Sequence, residues 1–266
     1  MSGVVRVGVV GVAGRMGGRV VRLLAEFDTL TLGSALERDR SRLGQDAGEL
    51  SGVGTLGVSI TDEPGHAVGA CDVLIDFSAP PACAVLAPVC AAHGTAYICA
   101  STGMGDVEHL ALDAAAKTVP VLEAANLSVG VNVLQQLVRA AAAQLGADFD
   151  VEIFEIHHHH KRDAPSGTAY ALGDAVHDAR PGLETVDARS GMDAVREPNS
   201  LGYSVARGGD VAGEHTVFFF GAGERIELTH RSTTPDIFAR GALRAANWLV
   251  GQAPGRYGMN DVLGIK

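Results

Sequence analysis

Short apolar runs alternate with helical patterns through the first half of the chain. The runs lie at 4–10, 31–36, 72–77, 96–99 and 120–124, and apolar residues recur with helical spacing at 20–27, 81–93 and 107–117. This alternation is typical of a doubly wound parallel sheet, the Rossmann type of α/β fold. Ligands of such sheets bind beyond the carboxyl ends of the strands, so the loops that follow the strands are predicted to line one crevice.

The second half has a different order of elements. A helical pattern at 131–145 precedes an alternating strand at 151–156, and later strands are predicted at 201–207, 214–220 and 224–230 before an amphipathic helix at 236–250. This order predicts a second, α+β domain. The polar stretch 180–199 is long for a loop, so we expect it to carry local structure or to wrap a neighbour. The Phe218–Phe220 run indicates either core packing or a subunit interface.

Composition narrows the function classes. The chain has 266 residues, enough for two domains, and a net charge of -10 that argues against nucleic acid as a partner. Four cysteines without a Cys-x-x-Cys pair indicate reduced, buried thiols. We expect neither a membrane span nor a signal peptide, because no run of about eighteen apolar residues occurs, and we therefore expect a cytoplasmic protein.

Glycines follow the first predicted strand at the spacing of a dinucleotide-binding turn. Gly11, Gly14 and Gly17 precede a helical pattern, so backbone N–H groups and a helix start can meet a pyrophosphate. In a chain with 34 glycines, a chance turn is the alternative. We predict that residues of this turn bind the cofactor: Gly11, Val12, Ala13, Gly14, Arg15 and Met16.

An acidic and a basic residue end the second predicted strand. Glu37 lies twenty residues beyond Gly17, where a carboxylate accepts hydrogen bonds from the adenosine ribose, and Arg38 follows it. The carboxylate favours NADH, whereas Arg38 with Arg15 can neutralise the 2′-phosphate of NADPH, so use of both cofactors is predicted. The alternative is a solvated acid and base at a strand end.

Residues 155–169 concentrate acids, bases and hydroxyls. An extended chain would point alternate histidines of 157–160 to opposite faces, so the four cannot form one metal site, and no metal is predicted. We expect the strand to end near His157, a loop to follow, and a helix to start with Ser166 or Thr168 as its N-cap, which creates an anion site. A zinc site and a merely solvated loop are the alternatives.

The segment Glu155-x-His-His-x-x-Lys-x-Asp-Ala-Pro-Ser-Gly-Thr-Ala169 resembles the signature of the dihydrodipicolinate reductase family. Stretches 207–216 and 223–230 also resemble that family, and the resemblance spans Val4 to about Leu263. It implies a cofactor domain at 1–127 and 239–266, and a substrate and oligomerisation domain at 128–238 with an open mixed sheet through which four subunits assemble.

The resemblance also implies an activity and the residues that perform it. The family reduces 4-hydroxy-tetrahydrodipicolinate, through dihydrodipicolinate, to tetrahydrodipicolinate in the diaminopimelate route to lysine, with hydride delivered to C4 and a proton to C3. His157 is then the proton donor or acceptor and Lys161 a second acid. The dicarboxylate substrate contacts His158, Ser166, Gly167 and Thr168.

The loops after the third, fourth and fifth strands resemble the nicotinamide-binding loops of the family. They contain Phe77, Ser78, Ala100, Ser101, Thr102, Ala124, Ala125, Asn126 and Leu127. Ala100-Ser101 and Leu127 differ from the residues usual in the family at these positions, which puts the geometry of nicotinamide binding in question. Two other functions remain open: reduction of another cyclic imine or keto acid, and a dinucleotide sensor without turnover.

Overall fold

The computed structural model describes residues 3–265, which form two compact units. The first comprises Met1–Val129 and Asp236–Lys266, apart from the terminal residues outside that range, and the second is Gly130–Pro235. The assignment of cofactor and substrate roles to domains with the predicted limits stays a prediction.

Within residues 3–265 the strands are β1 (Val5–Val10), β2 (Leu30–Leu36), β3 (Ile60–Thr61), β4 (Val73–Asp76), β5 (Ala96–Cys99), β6 (Pro120–Glu123), β7 (Asp150–His157), β8 (Glu184–Val186), β9 (Ser200–Arg207), β10 (Gly213–Gly221), β11 (Glu224–Ser232) and β12 (Gly255–Tyr257). The α-helices are α1 (Arg15–Leu23), α2 (Ala47–Ser51), α3 (Pro64–Gly69), α4 (Pro80–His93), α5 (Asp106–Ala115), α6 (Val129–Leu145), α7 (Gly167–Ala179), α8 (Asp236–Leu249) and α9 (Met259–Leu263).

The first unit is a seven-stranded parallel sheet in the order β12-β6-β5-β4-β1-β2-β3. Every residue of β4 and β5 is buried, because helices cover both faces. Ile75 and Ile98 pack with α1 and α8 on one face, and their neighbours Leu74 and Tyr97 pack with α4 and α5 on the other. The predicted doubly wound sheet is confirmed.

The second unit is a five-stranded mixed sheet in the order β11-β10-β7-β9-β8. Strand β7 pairs parallel with β9 and antiparallel with β10. Helices α6 and α7 cover one face, where Phe219 is buried. On the other face Phe218 and Phe220 stack with their ring centroids 5.5 Å apart, and Phe220 is exposed. Within the Phe218–Phe220 run, the Phe219 ring therefore packs in the core, and the other two rings lie on the open face.

The long polar stretch carries local structure, which was one of the two predicted possibilities. β8 pairs with β9, and Arg189 and Arg196 both bind the Glu152 carboxylate of β7. The four cysteines are buried and unbridged, as predicted. Within residues 3–265, none of the helices has the length and apolar character needed to cross a bilayer.

Helix α8 packs within the first unit through a glycine. A Cβ on Gly241 would lie 1.8 Å from the carbonyl oxygen of Leu127, so only glycine permits this approach of the two backbones. We predict that Gly241→Ala lowers the free energy of unfolding by about 1–3 kcal/mol, because the clash is with backbone that cannot rotate away. The measurement is the midpoint of urea unfolding.

Gly65→Ala is the matched control for that substitution. Gly65 also lies in a helix of the first unit, but its nearest Cβ neighbour is 3.9 Å away. Alanine there should leave stability unchanged or raise it by about 0.5–1 kcal/mol, because alanine has the higher helix propensity. Equal midpoints for the two variants would contradict the packing argument.

Candidate active site

The glycine turn after β1 leaves backbone donors at a helix start. Gly11 has φ +69°, and a Cβ on Gly17 would lie 2.2 Å from the Gly11 carbonyl oxygen, so both positions require glycine. α1 begins at Arg15, and its N-cap Gly14 supplies no side-chain cap. Ala13, Gly14 and Arg15 are exposed. The first N–H groups of α1, beginning at Arg15, can therefore bind an anionic group such as a pyrophosphate.

The Glu37 carboxylate fastens this turn to the end of β2. Its Oε2 accepts the Ala13 N–H at 3.0 Å, and its Oε1 accepts the N–H groups of Arg38 and Asp39 at 2.9 and 3.2 Å. An ionised carboxylate has roughly four acceptor positions, so capacity remains for a ribose hydroxyl. Arg38 is exposed beside it. The sequence did not indicate the contact with Ala13.

A cavity of about 280 Å³ opens beside the turn. Its lining includes Val12–Arg15 and the α1 residues Arg19 and Arg22. Arg19 is paired with Asp236, whereas Arg22 is exposed and lies near the Ser51 carbonyl. The positive lining suits phosphate groups, as expected for a dinucleotide site.

The three predicted nicotinamide loops follow β4, β5 and β6, which are neighbours in the parallel sheet. They therefore emerge at the same edge as the glycine turn. Ser78 donates its N–H to buried Asp76, and Tyr97 donates its hydroxyl to the other Asp76 oxygen at 2.7 Å. The Ser101 hydroxyl is buried without a hydrogen-bond partner among the described residues. These features fit a polar ligand at this edge.

Leu127 differs from the other loop positions. It is 2% exposed, and its side chain packs in the hydrophobic core of the first unit. The structure leaves this side chain little surface for a cofactor, so its departure from the usual family residue bears on core packing.

In the second unit, a buried carboxylate organises the acid–base residues. Glu155 and His157 occupy alternate positions of β7 and therefore share a face, where both are buried. Glu155 Oε2 is hydrogen-bonded to His157 Nδ1. Glu155 Oε1 accepts from Arg207 Nη2 at 2.8 Å and from the Ser166 N–H at 3.0 Å.

The neighbouring strands supply two of the partners. In the sheet register, His157 lies opposite Arg207 of β9, and Glu155 lies opposite His215 of β10. The His157 and His215 rings meet edge to face with centroids 5.1 Å apart, and His215 Nε2 is 3.1 Å from the Ser166 hydroxyl. The other ring nitrogen of His215 is buried without a partner among the described residues.

Burial and charge shift the acids and bases of this cluster. Burial alone would raise the pKa of Glu155, but the hydrogen bonds from His157 and Arg207 outweigh it and lower that pKa to about 2. Burial, reinforced by nearby His157, lowers the pKa of His215 to about 4. At neutral pH Glu155 is therefore an anion and His215 a neutral ring.

The loop after His157 begins where the sequence predicted the strand to end. His158 is half-buried, and burial followed by the positive field of His157 and other neighbours lowers its pKa. Lys161 Nζ binds both oxygens of Asp163 at 2.8 and 2.9 Å, which lowers the pKa of that carboxyl. His159 and His160 are exposed.

Helix α7 begins directly after this loop. Ser166 is its N-cap, one of the two predicted candidates, and the Ser166 hydroxyl accepts the Ala169 N–H at 3.2 Å. Gly167 and Thr168 are the first two helical residues, and Gly167 is exposed. The start of this 13-residue helix can therefore receive a carboxylate.

Sequence reasoning missed the roles of three residues in this cluster. Glu155 belongs to the segment 155–169 that resembles the family signature, but the sequence analysis assigned it no function. An acid on the buried face of a strand nevertheless indicates a buried partner. Arg207 and His215 depend on strand register, which no local pattern revealed. Glu155, His157 and His215 could also serve as metal ligands by type and proximity, but the two carboxylate oxygens are already occupied by His157, Arg207 and Ser166.

The lowered pKa of His215 makes stability depend on pH. The folded state holds this ring neutral, so its stabilising contribution is complete above the ordinary pKa of 6.5 and declines as the pH falls through about 4. We predict that wild-type protein loses about 3 kcal/mol more than His215→Gln across this range, measured by urea unfolding at several pH values. His177→Gln, at an α7 position bonded to Thr185, is the control and should keep the wild-type pH dependence.

Comparisons with known proteins agree with this architecture. Residues 5–127 match the sequence model of a family described as "Dihydrodipicolinate reductase, N-terminus", and residues 130–263 match the one described as "Dihydrodipicolinate reductase, C-terminus". The 4-hydroxy-tetrahydrodipicolinate reductase of Anaeromyxobacter sp. (strain Fw109-5) is 49% identical over 98% of each chain. The enzyme of the same name from Syntrophotalea carbinolica is 46% identical over 98% of this chain and all of its own length.

A solved structure shares the fold. The dipicolinate-bound dihydrodipicolinate reductase from Paenisporosarcina sp. TG-14 superposes with a TM-score of 0.78 at 22% identity, covering 96% of this chain and 97% of its own. The resemblance predicted from residues 155–169 is confirmed by these matches. The chain belongs to the dihydrodipicolinate reductase family of NAD(P)H-dependent oxidoreductases.

Proposed function

We propose that this protein reduces 4-hydroxy-tetrahydrodipicolinate, through dihydrodipicolinate, to tetrahydrodipicolinate, in the diaminopimelate route to lysine. The observation that carries the proposal is the buried Glu155–His157 pair, which immediately precedes Lys161 and the anion-binding start of α7. The family membership and the identity to reductases of that name support the same reaction.

The residues of the second unit match the demands of a dicarboxylate ring that accepts a hydride. Such a ring gains negative charge during reduction and needs a proton donor and fixed positive charge. His157 donates the proton at C3, and Lys161 acts as a second acid. The N–H groups of Gly167 and Thr168, with Ser166 and His158, bind the carboxylates through hydrogen bonds and the field of the helix start.

The residues of the first unit suit a nicotinamide dinucleotide. The turn Gly11–Met16 holds the pyrophosphate, Glu37 the adenosine ribose, and Arg38 with Arg15 the 2′-phosphate of NADPH. The loop residues Phe77–Ser78, Ala100–Thr102 and Ala124–Leu127 hold the nicotinamide end. When bound, the reduced cofactor supplies the hydride that reaches C4. Both NADH and NADPH are proposed as donors.

The open face of the mixed sheet suits self-association. Phe220 is 38% exposed there and stacks on Phe218. We propose a homotetramer assembled through this face, because stacked exposed rings on an uncovered sheet favour burial against a second copy. The cytoplasmic location stays a prediction.

The activity test follows oxidation of NADH or NADPH with the product of the preceding synthase as substrate. The account expects turnover with that substrate and little with other cyclic imines or keto acids. Faster turnover of another cyclic imine would mean that this compound, and not the synthase product, is the substrate. A protein that binds the cofactor but turns over none of these compounds would support the sensor function instead.

His157→Ala and Lys161→Ala should each lower turnover by about 100- to 10,000-fold, the usual contribution of a positioned acid or base. The dissociation constant for the cofactor should stay nearly unchanged, because both residues belong to the second unit. Steady-state kinetics and cofactor titration measure the two quantities. His160→Ala, which removes an exposed neighbouring histidine, is the control, and wild-type turnover in either site variant would reject the assignment.

Arg38→Ala should weaken NADPH binding by about 10- to 100-fold, the cost of losing a charge-assisted bond to phosphate, and should affect NADH much less. Fluorescence titration with each cofactor measures the difference. Arg40→Ala removes another exposed arginine two residues on, one that pairs with Asp62, and should change neither affinity. Parallel losses for both cofactors in Arg38→Ala would remove Arg38 from the 2′-phosphate role.

A further inference from the structure

Glu155 is a buried anion that has no step of its own in the proposed reaction. It is 1% exposed, so it cannot meet a substrate directly. Its partners come from β7 itself, from β9 and from the start of α7. A carboxylate removed from water is costly unless its partners compensate it, so its presence here calls for a role.

The geometry around His157 distinguishes the two ring nitrogens. Nδ1 is engaged by Glu155, so Nε2 is the nitrogen left for a reactant. A Cβ on Gly213 of β10 would lie 2.9 Å from Nε2 and 3.3 Å from Cδ2. The absence of a side chain at position 213 therefore keeps the Nε2 edge of the ring clear.

We propose that Glu155 is a positioning residue for His157: it accepts a hydrogen bond from the Nδ1–H group, which fixes the ring orientation and makes Nε2 the nitrogen that delivers the proton to the substrate. The Ser166 N–H binds the other Glu155 oxygen, so the same carboxylate aligns the ring with the carboxylate-binding start of α7. This inference rests on the proposed reductase function.

The charges near the ring set the sign of the expected pH effect. The titratable or charged groups near His157 are Glu155 of β7, Arg207 of β9, His215 of β10, and His158 and Lys161 of the loop. Lys161 is paired with Asp163, and Arg207 is bound to Glu155, which keeps that carboxylate ionised. Glu155 is the anion in contact with the ring, so its loss disfavours the protonated imidazole.

The test compares Glu155→Gln with Glu152→Gln. Glu152 lies on the same strand and also binds an arginine, Arg189, but has no contact with His157, which makes it the matched control. In Glu155→Gln we expect kcat to fall about 10- to 100-fold and the alkaline limb of the pH profile to move about one unit lower, while KM for the cofactor changes by less than about twofold. Glu152→Gln should keep the wild-type profile.

A conservative variant separates charge from position. Glu155→Asp retains the anion on a shorter side chain, so kcat should fall while the alkaline limb stays near its wild-type pH. If Glu155→Gln fails to fold because Arg207 is left unpaired, the double variant Glu155→Gln with Arg207→Gln removes both charges and should show the same displaced limb. Wild-type kcat and an unmoved limb in the folded variant would overturn the proposal.

A spectroscopic measurement keeps this inference independent of the activity. In the full-length protein with ¹⁵N-labelled histidine, the neutral His157 ring should carry its proton on Nδ1. A neutral ring protonated at Nε2 would overturn the inference even in an active enzyme. If the wild-type protein does not turn over the proposed substrate, the proposed function is rejected. The ¹⁵N measurement then still decides which nitrogen of the His157 ring carries the proton.

Discussion

The second unit depends on one ion pair, between the buried Glu155 carboxylate and the partly buried Arg207 guanidinium. A buried carboxylate alone would cost several kcal/mol, and this one is compensated by the guanidinium, by His157 and by the Ser166 N–H. Arg207 Nη2 also donates to the Asp163 carbonyl, so the pair holds the loop that carries Lys161. The pair therefore joins β7, β9, the loop and the start of α7.

The pair also determines what the neighbouring rings can do. His157 is hydrogen-bonded to the Glu155 carboxylate, whereas burial and the neighbouring His157 lower the pKa of His215 and keep that ring neutral at neutral pH. Two histidines in edge-to-face contact thereby have different partners, the Glu155 carboxylate for His157 and the Ser166 hydroxyl for His215. The surroundings of each histidine, more than its residue type, determine this difference.

The first unit uses a carboxylate in a similar way. Glu37 accepts three backbone N–H groups and so joins the glycine turn to the end of β2. In both units an acid at or near the end of a strand takes backbone donors and fixes the loop that follows. The helix that follows each loop, α1 from Arg15 and α7 from Gly167, then has N–H groups at its start that can receive a ligand.

Local patterns predicted the features that depend on local sequence. The alternation of strands and helices predicted the doubly wound sheet. The end of β7 near His157 was predicted where the alternating strand gives way to the histidine-rich segment, and Ser166 was one of two residues predicted as the N-cap of α7. The partners of Glu155 did not follow, because the β7–β9 and β7–β10 registers join residues about 50 to 70 positions apart. The contacts of Glu37 with Ala13 and of Leu127 with Gly241 also join residues distant in sequence. Family resemblance named His157 and Lys161, but not the buried acid and arginine that hold them.

The most direct measurement is a crystal structure of the protein with reduced cofactor and pyridine-2,6-dicarboxylate. The account predicts a ligand carboxylate on the N–H groups of Gly167 and Thr168, with His157 Nε2 directed at the ring and Nδ1 still on Glu155. A dicarboxylate bound away from the start of α7, or a His157 ring turned so that Nε2 contacts Glu155, would contradict it.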